Sequence, residues 1–149
     1  DYVIGRFNYY GLAPGSVAIE VTESCLIESF QEVAEKLQIL SDHGIMVYLD
    51  DFGTGFSSLT YLKNLPIFSV KIDKSFIDEI VTDKTGRDIV DMIVLLAQKL
   101  NLEVIAEGVE TAQQIQCVSN CGCNIIQGYY ISKPVPPEQA KLLLDVLHK

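Results

Sequence analysis

The fold is decided by the segment Ile45-Met46-Val47-Tyr48-Leu49-Asp50-Asp51-Phe52-Gly53-Thr54-Gly55, in which an apolar run leads directly into two acids and a glycine-rich turn. A short, continuous apolar run of this kind predicts a buried strand over residues 45–49. The adjacent carboxylates that follow would raise each other's pKa unless a cation lies beside them. Glycines at the next positions permit a tight loop. The segment therefore predicts a metal-centred site at the C-terminal end of a strand.

The same unit recurs along the chain as a short apolar strand, a polar residue at its end, and an amphipathic helix. Strands are predicted over residues 17–19, 45–49, 69–73, 104–106 and 124–126. Helices are predicted over residues 26–42, 57–64, 75–81 and 87–100, after the turn at 108–111, and from Pro137 onward. On the helix over 87–100, the predicted core-facing stripe consists of Ile89, Met92, Ile93, Leu96 and Leu100, with Ala97 on the same face.

Five successive strand–helix units predict a parallel sheet of the α/β class. Polar groups at every strand end favour a (β/α)8 TIM-like barrel, whose chemistry lies at the C-terminal ends of its strands. An open doubly wound sheet is the alternative, although it gathers ligands mostly at one switch point. A complete barrel takes about 200–250 residues, so we expect residues 1–149 to form a partial barrel of about five βα units that lacks the N-terminal units. Its exposed strand edges would be stabilised by the absent portion, a swapped partner or self-association.

Composition indicates a globular chain with strong negative charge. Hydrophobic residues make up 48% of the sequence, and the net charge is −9. That charge argues against binding of duplex nucleic acid, which needs a basic face. No apolar run approaches the ~20 residues that span a membrane, so no membrane segment is expected in this chain.

Three of the four cysteines cluster late in the chain, as they would at a zinc site. No fourth ligand has suitable spacing, because both histidines are remote in sequence. We therefore favour small packed thiols in a reducing compartment and keep zinc as the alternative. The residues concerned are Cys25, Cys117, Cys121, Cys123, His43 and His148.

Four carboxylates at the strand ends are candidate metal ligands. Carboxylate oxygens are hard ligands that suit Mg²⁺ or Mn²⁺, and two such ions suit in-line attack of water on a phosphodiester. Lys71 could hold the water or a phosphate oxygen, and Gln127 could orient substrate or water. The four carboxylates are those of Glu20, Asp50, Asp51 and Glu107.

Each candidate taken alone has a plain structural interpretation as well. Glu20 could be solvated or ion-paired, Lys71 could pair with Asp73 or its neighbours, and Gln127 could be a surface amide at a strand end. Carboxylates near helix starts, as at Glu23 and Glu110, favour the helix dipole. The joint pattern favours a site, because the candidates recur at the same position of successive units.

The segments quoted so far resemble the EAL-domain family of bacterial cyclic di-GMP phosphodiesterases. Two are highly specific: Asp50-Asp51-Phe52-Gly53-Thr54-Gly55-Phe56-Ser57-Ser58-Leu59, with Phe56 where the family commonly has Tyr, and Ile105-Ala106-Glu107-Gly108-Val109-Glu110-Thr111. The others, which extend the resemblance over essentially the whole chain, are Glu20-Val21-Thr22-Glu23-Ser24, Val70-Lys71-Ile72-Asp73, Gln127-Gly128-Tyr129 and Ser132-Lys133-Pro134.

The resemblance implies a modified (β/α)8 barrel that hydrolyses cyclic di-GMP to linear pGpG with two Mg²⁺ or Mn²⁺ ions. By position, Glu20, Asp50, Asp51 and Glu107 would be the metal ligands, and Glu107 or Lys71 would engage the attacking water. The loop over 52–58 would be held by Glu23 and would link catalysis to dimerisation. Its residues, with those at the substrate end of the site, would be Phe52, Gly53, Thr54, Gly55, Glu110 and Gln127.

The family-naming Glu-Ala-Leu strand and an asparagine ligand would lie upstream of Asp1. The chain is thus expected to be the C-terminal part of one EAL-type domain, inactive alone within an active parent. The resemblance further implies a homodimer, an upstream sensor or diguanylate cyclase domain, and a bacterial cytoplasmic location with a parent that could be membrane-anchored.

Two other functions compete with this interpretation. A catalytically inactive cyclic di-GMP receptor or protein-interaction module could share the fold. Lys71 on a barrel strand could instead form a Schiff base, as in aldolase-type barrels. That chemistry needs a lowered lysine pKa, whereas the acids around Lys71 would raise it.

Overall fold

The computed structural model describes residues 2–28, 30–55 and 59–147. In chain order the elements are α1 (Tyr2–Tyr9), β1 (Ala18–Thr22), α2 (Glu23–Glu28), α3 (Phe30–Asp42), β2 (Met46–Phe52), α4 (Leu59–Asn64), β3 (Ser69–Ile72), α5 (Lys74–Glu79), α6 (Lys84–Lys99), β4 (Glu103–Ala106), α7 (Ala112–Asn120), β5 (Ile125–Ile126) and α8 (Pro137–Leu147). No helix among these residues is long and apolar enough to cross a membrane.

The strands form one parallel sheet in the order β1-β2-β3-β4-β5. Each strand therefore lies beside the next one in sequence, with helices in the connections. The predicted parallel sheet is confirmed. Because all strands run in the same direction, their C-terminal ends meet at one edge.

Most of the predicted elements are present with small changes at their ends. The helix predicted over 26–42 corresponds to α2 and α3, which lie on either side of residue 29, outside the described residues, and α2 begins earlier than expected, at Glu23. The helix predicted after 108–111 is α7, and α8 begins at Pro137 as expected. The predicted helix start at Ser57 and the departure at Phe56 lie outside the described residues.

The core lies between the sheet and the helices. Alternate residues of β2, Val47 and Leu49, are buried, and all four residues of β3 are buried. Helix α6 packs on β3 and β4 through its inner face, and α5, with the buried Ile77, packs against α6. Lys71 is thus embedded in the most buried strand.

The predicted core stripe on α6 is wrong in part. Met92 is 70% exposed and Ile89 is 38% exposed, whereas Val90, Ile93, Val94 and Ala97 form the buried face. Apolar residues occupy both sides of this helix, so periodicity alone could not determine which side faces the sheet. The helix therefore presents an apolar outer face.

The cysteines are free thiols. Cys123 is buried and its Sγ lies 3.3 Å from the carbonyl oxygen of Ile125 and 3.5 Å from that of Val104. Burial raises the pKa of the Cys121 and Cys123 thiols. Within the described part of the chain, Cys117, Cys121 and Cys123 do not bring three ligand atoms together as a metal site would.

Candidate metal centre

The candidate residues lie at one edge of the sheet because the register of the strands aligns their ends. Glu20 of β1 pairs with Tyr48, two residues before Asp50 of β2, and Lys71 of β3 pairs with Ile105, two residues before Glu107. The sequence prediction that strand ends converge is therefore reproduced in three dimensions.

A β-bulge brings Asp50 and Asp51 to the same side of the sheet. Adjacent side chains of a regular strand point to opposite faces. Here the β2–β3 register shifts between Leu49 and Phe52, and Asp51 has a φ of 54°. As a result, carboxylate oxygens of Asp50, Asp51 and Glu107 lie within 4.8 Å of one another.

Thr54 stabilises this unusual turn. Its backbone N–H and its Oγ1 both donate to the carbonyl oxygen of Asp51, at 3.3 and 2.9 Å. A non-glycine residue in the left-handed region costs of order 1–3 kcal/mol and persists where the surroundings fix it, which happens often at functional sites.

Lys71 lies at the centre of the acidic cluster. Its side chain is only 3% exposed, and its Nζ is 2.7 Å from Glu20, 3.3 Å from Asp50 and 2.5 Å from Glu107. Burial lowers the pKa of Lys71, but hydrogen bonds to Glu107 and Glu20 and the nearby charges outweigh it and raise the pKa overall. The ammonium form is therefore strongly favoured, which removes the lowered pKa that Schiff-base chemistry needs.

Glu107 experiences the opposite balance. Burial raises the pKa of its carboxyl, the charges of Asp50 and Glu20 add to that effect, and Lys71 only partly offsets it. The two partners differ because Lys71 is shared among three carboxylates, whereas Glu107 has one cation and two like charges near it. Further positive charge at this position would relieve the repulsion.

The donor set fits a divalent metal. Asp50, Asp51 and Glu107 offer hard oxygen atoms within reach of one ion, and all three side chains are half-buried. Mg²⁺ and Mn²⁺ take such carboxylates as ligands. Glu20 contacts Lys71 from the opposite side to Glu107, and its carboxylate could serve as a further ligand.

Glu23 packs against the glycine-rich loop that follows Asp51. The residue is 5% exposed, and its Oε2 accepts a 3.4 Å hydrogen bond from the N–H of Gly53. Its Oε1 is buried without a hydrogen-bond partner among the described residues. A Cβ on Gly55 would come within 2.9 Å of that oxygen, so glycine lets the loop lie directly on the carboxylate. The part of the loop over 56–58 lies outside the described residues.

Two other predicted residues lie near the site without joining the acidic cluster. Glu110 is exposed and forms a 2.8 Å ion pair with Lys74. Gln127 has an exposed side chain. Its backbone N–H donates to the carbonyl oxygen of Ala106, and its carbonyl oxygen accepts from the N–H of Val109. Asp73 accepts hydrogen bonds from Ser75 at the start of α5, so it is a helix cap and does not pair with Lys71.

Sequence reasoning missed Lys74 and Gln114, which hold the segment after Glu107. Lys74 covers Gly108, where a Cβ would collide with the lysine stem. Gln114 is a buried amide whose partners lie as far as 37 residues away in sequence. A long-range contact of this kind leaves no local pattern, although the Thr111 to Gln114 spacing was a visible capping-box signal.

Comparison with known proteins identifies the family of this chain. A sequence model of the EAL domain matches residues 1–134. The chain belongs to the EAL-domain family. As an EAL-domain chain it has the parallel α/β sheet of a partial TIM-like barrel, as the sequence predicted.

Individual relatives and solved structures are similar to this chain over most of its length. The signaling protein YkoW of Bacillus subtilis is 46% identical over 132 residues, which cover 89% of this chain and 16% of YkoW. The structure of the PaMucR phosphodiesterase in complex with c-di-GMP superposes with a TM-score of 0.88 at 41% identity, over 93% of this chain and 56% of that one.

The manganese and cyclic di-GMP complex of Klebsiella pneumoniae BlrP1 is also similar. Its TM-score is 0.83 at 32% identity, over 89% of this chain and 34% of that one. The chain spans between 16% and 20% of the length of the first curated relatives that it matches.

Proposed function

We propose that this chain contributes to a metal-dependent phosphodiesterase that hydrolyses cyclic di-GMP to linear pGpG. The observation that carries the proposal is the cluster of Asp50, Asp51 and Glu107, two of which, Asp50 and Glu107, pair with the buried Lys71 ammonium. Membership of the EAL family and the c-di-GMP complex of PaMucR support the choice of substrate.

In this proposal, two Mg²⁺ or Mn²⁺ ions would be held by Asp50, Asp51, Glu107 and Glu20. When bound, such ions lower the pKa of water and neutralise charge on the phosphate. The manganese complex of BlrP1 supports the choice of metal.

The chain's own groups would orient the reactants. Lys71 carries a fixed positive charge at the cluster and would donate hydrogen bonds to the attacking water or a non-bridging phosphate oxygen. Glu107 would act as the general base and accept a proton from that water at its Oε atoms. Attack would form one oxygen–phosphorus bond and break the bond from phosphorus to a ribose oxygen, which leaves with the electron pair and takes up a proton to become the free hydroxyl of linear pGpG.

The remaining predicted residues would shape the surroundings of the cluster. Glu23 would hold the loop that begins with Phe52, Gly53, Thr54 and Gly55. Gln127 and Glu110 would support the substrate end of the site.

We further infer that the outer face of α6 mediates a homodimer. Ile89, Met92 and Leu95 are exposed on this helix, and apolar surface of this kind is characteristic of protein contacts. Ile93, on the buried face of the same helix, lies beneath Gly53, so α6 contacts the loop next to the metal ligands from its inner side. Sedimentation of Met92→Glu beside Lys99→Glu, an exposed change in the same helix, would test it.

The cellular setting follows from the proposed substrate. We propose a bacterial cytoplasmic location, because cyclic di-GMP is an intracellular messenger in the family that the chain resembles. A sensor or diguanylate cyclase domain upstream would supply regulation, as the bifunctional name of MucR in Pseudomonas aeruginosa illustrates.

The test is hydrolysis of cyclic di-GMP by the intact protein and, separately, by residues 1–149, each with Mg²⁺ or Mn²⁺. Chromatography of pGpG measures the product. We expect turnover by the intact protein, and its loss in Asp51→Asn, which keeps a side chain that tolerates positive φ. Nucleotide binding without turnover by the intact protein would refute the phosphodiesterase and favour a receptor. Turnover by residues 1–149 would refute the requirement for upstream ligands.

A further inference from the structure

Gln114 is a buried polar residue that lies outside the acidic cluster yet connects three segments of the site. Its side chain is on α7 and is 7% exposed. The Oε1 atom accepts hydrogen bonds from the N–H groups of Glu110 and Thr111, at 2.8 and 2.9 Å. The Nε2 atom donates a 3.1 Å hydrogen bond to the carbonyl oxygen of Ile77 in α5.

The first pair of contacts fixes the segment over 107–111, which we call the Glu107 loop. Its Val109 is fully buried, donates to the carbonyl of Gln127 and accepts from the N–H of Tyr130. Gly108 lies under the stem of Lys74. At the other end of the loop, the N–H of Glu107 donates to the carbonyl oxygen of Ile72. Both ends and the middle of the loop are therefore held, and the direction of the Glu107 side chain depends on this set of contacts.

The contact with Ile77 ties the same loop to α5. This helix directly follows the strand that carries Lys71, and its Phe76 packs on Gly53 beside the two aspartates. Through α5, one amide therefore joins the strand end of Lys71, the loop after Asp51 and the loop of Glu107.

A neutral amide makes this set of contacts because it carries an acceptor and a donor together. An ionised glutamate at the same position could accept from the two N–H groups but could not donate to Ile77, and a methionine could do neither. Desolvated, fully bonded networks of this kind fix one arrangement of the groups that they join.

We propose that Gln114 is a positioning residue, which sets Glu107 relative to Lys71 and Asp50 and so determines how tightly the acidic cluster holds a divalent metal. Residues that orient metal ligands commonly change metal affinity or activity by about 10–100-fold when replaced. The measurement of activity rests on the proposed function. The measurement of metal affinity does not depend on it.

The experiment compares Gln114→Met and Gln114→Glu with Gln113→Met in the intact protein. Gln113 is the neighbouring glutamine on α7 and is exposed, so it is a matched control. Free Mn²⁺ is titrated by electron paramagnetic resonance to give a Kd, and kcat and KM are measured with cyclic di-GMP. Thermal unfolding without metal reports the helix-capping role separately.

We expect both Gln114 variants to weaken Mn²⁺ binding by about tenfold or more, as for other residues that orient ligands. The loss should fall on kcat with little change in KM, and Gln113→Met should match the unsubstituted protein. Gln114→Glu keeps the contacts with Glu110 and Thr111 but places a carboxylate against the Ile77 carbonyl, so its Tm should fall, though less than that of Gln114→Met. Mn²⁺ affinity is therefore compared at a temperature below both unfolding transitions.

Three results would overturn the inference: unchanged Mn²⁺ affinity in Gln114→Glu, an equal loss in Gln113→Met, or no Mn²⁺ binding by the unsubstituted protein. Gln114→Glu decides the matter even if Gln114→Met does not fold. Mn²⁺ binding that depends on Gln114 without hydrolysis of cyclic di-GMP would refute the proposed function and leave the positioning role supported.

Discussion

At Glu107, burial and two neighbouring carboxylates oppose the ionised form, while one ammonium favours it. The net effect is a carboxyl whose pKa is raised above its ordinary value. A group with a raised pKa in the folded state binds its proton more tightly there than in the unfolded chain. The free energy of unfolding therefore falls as pH rises through that folded pKa.

This balance predicts that Glu107→Gln stabilises the metal-free protein at neutral pH. Glutamine removes the charge that burial and the two acids oppose, and it can still accept from Lys71 through Oε1. Urea unfolding in the presence of a chelator would give a larger free energy of unfolding for the variant at pH 7. The difference should vanish below the unfolded pKa of about 4.3, where glutamate is protonated in both states.

Glu103→Gln is the matched control because Glu103 is exposed on the same strand. It should change the free energy of unfolding little at any pH. A Glu107→Gln variant that is less stable than the unsubstituted protein at pH 7 would show that the pair with Lys71 outweighs burial and like-charge repulsion.

Individual site residues show which features of the site could be predicted from the sequence. Asp50, Asp51 and Glu107 were predicted as neighbours because parallel strands end together, and the structure brings them within ligand distance. The bulge at Asp51 could not be predicted, because a positive φ depends on the register with β3 and on Thr54. Their roles as metal ligands remain predictions.

Helix α6 shows the limit of periodicity at the scale of an element. Its apolar residues occupy most of the circumference, and the sequence stripe mixed the inner residue Ile93 with the outer residues Ile89 and Met92. What decides between the two sides is packing against β3, β4 and α5, which is tertiary information. By contrast, local sequence signals marked where α7 and α8 begin, namely Thr111 and Pro137.

The same helix gives a prediction from two adjacent apolar residues. Ile93→Ala should destabilise the protein by about 2–5 kcal/mol, because it removes a buried side chain and leaves a cavity. Met92→Ala should change the free energy of unfolding by less than about 0.5 kcal/mol, since its side chain is exposed. Both are measured by urea unfolding at a concentration where sedimentation shows monomer. A cost at Met92 as large as that at Ile93 would mean that the outer face is packed within one chain.

On the scale of the whole molecule, a net charge of −9 is concentrated in part at one edge of the sheet. Lys71 is the buried cation within the described cluster, and its Nζ forms ion pairs with three carboxylates. The sequence predicted both the parallel sheet and this accumulation of acids, because both follow from the repeated strand–acid–helix unit. It could not predict how far Lys71 offsets the repulsion among these carboxylates, since that depends on distances in the folded protein.

The unrelieved repulsion predicts that divalent metal stabilises the folded protein as a whole. A ligand that binds only the folded state at 100 times its Kd adds about 2.7 kcal/mol to the free energy of unfolding. We expect Mn²⁺ to raise the Tm in a concentration-dependent way and Asp51→Asn to abolish most of the rise. Asn tolerates the backbone conformation at this position, so the variant removes mainly charge. Asp88→Asn, which alters an exposed acid paired with Lys84, should keep the full rise. An equal rise in Asp51→Asn would place the stabilising metal elsewhere on the acidic surface and would contradict the centre formed by Asp50, Asp51 and Glu107.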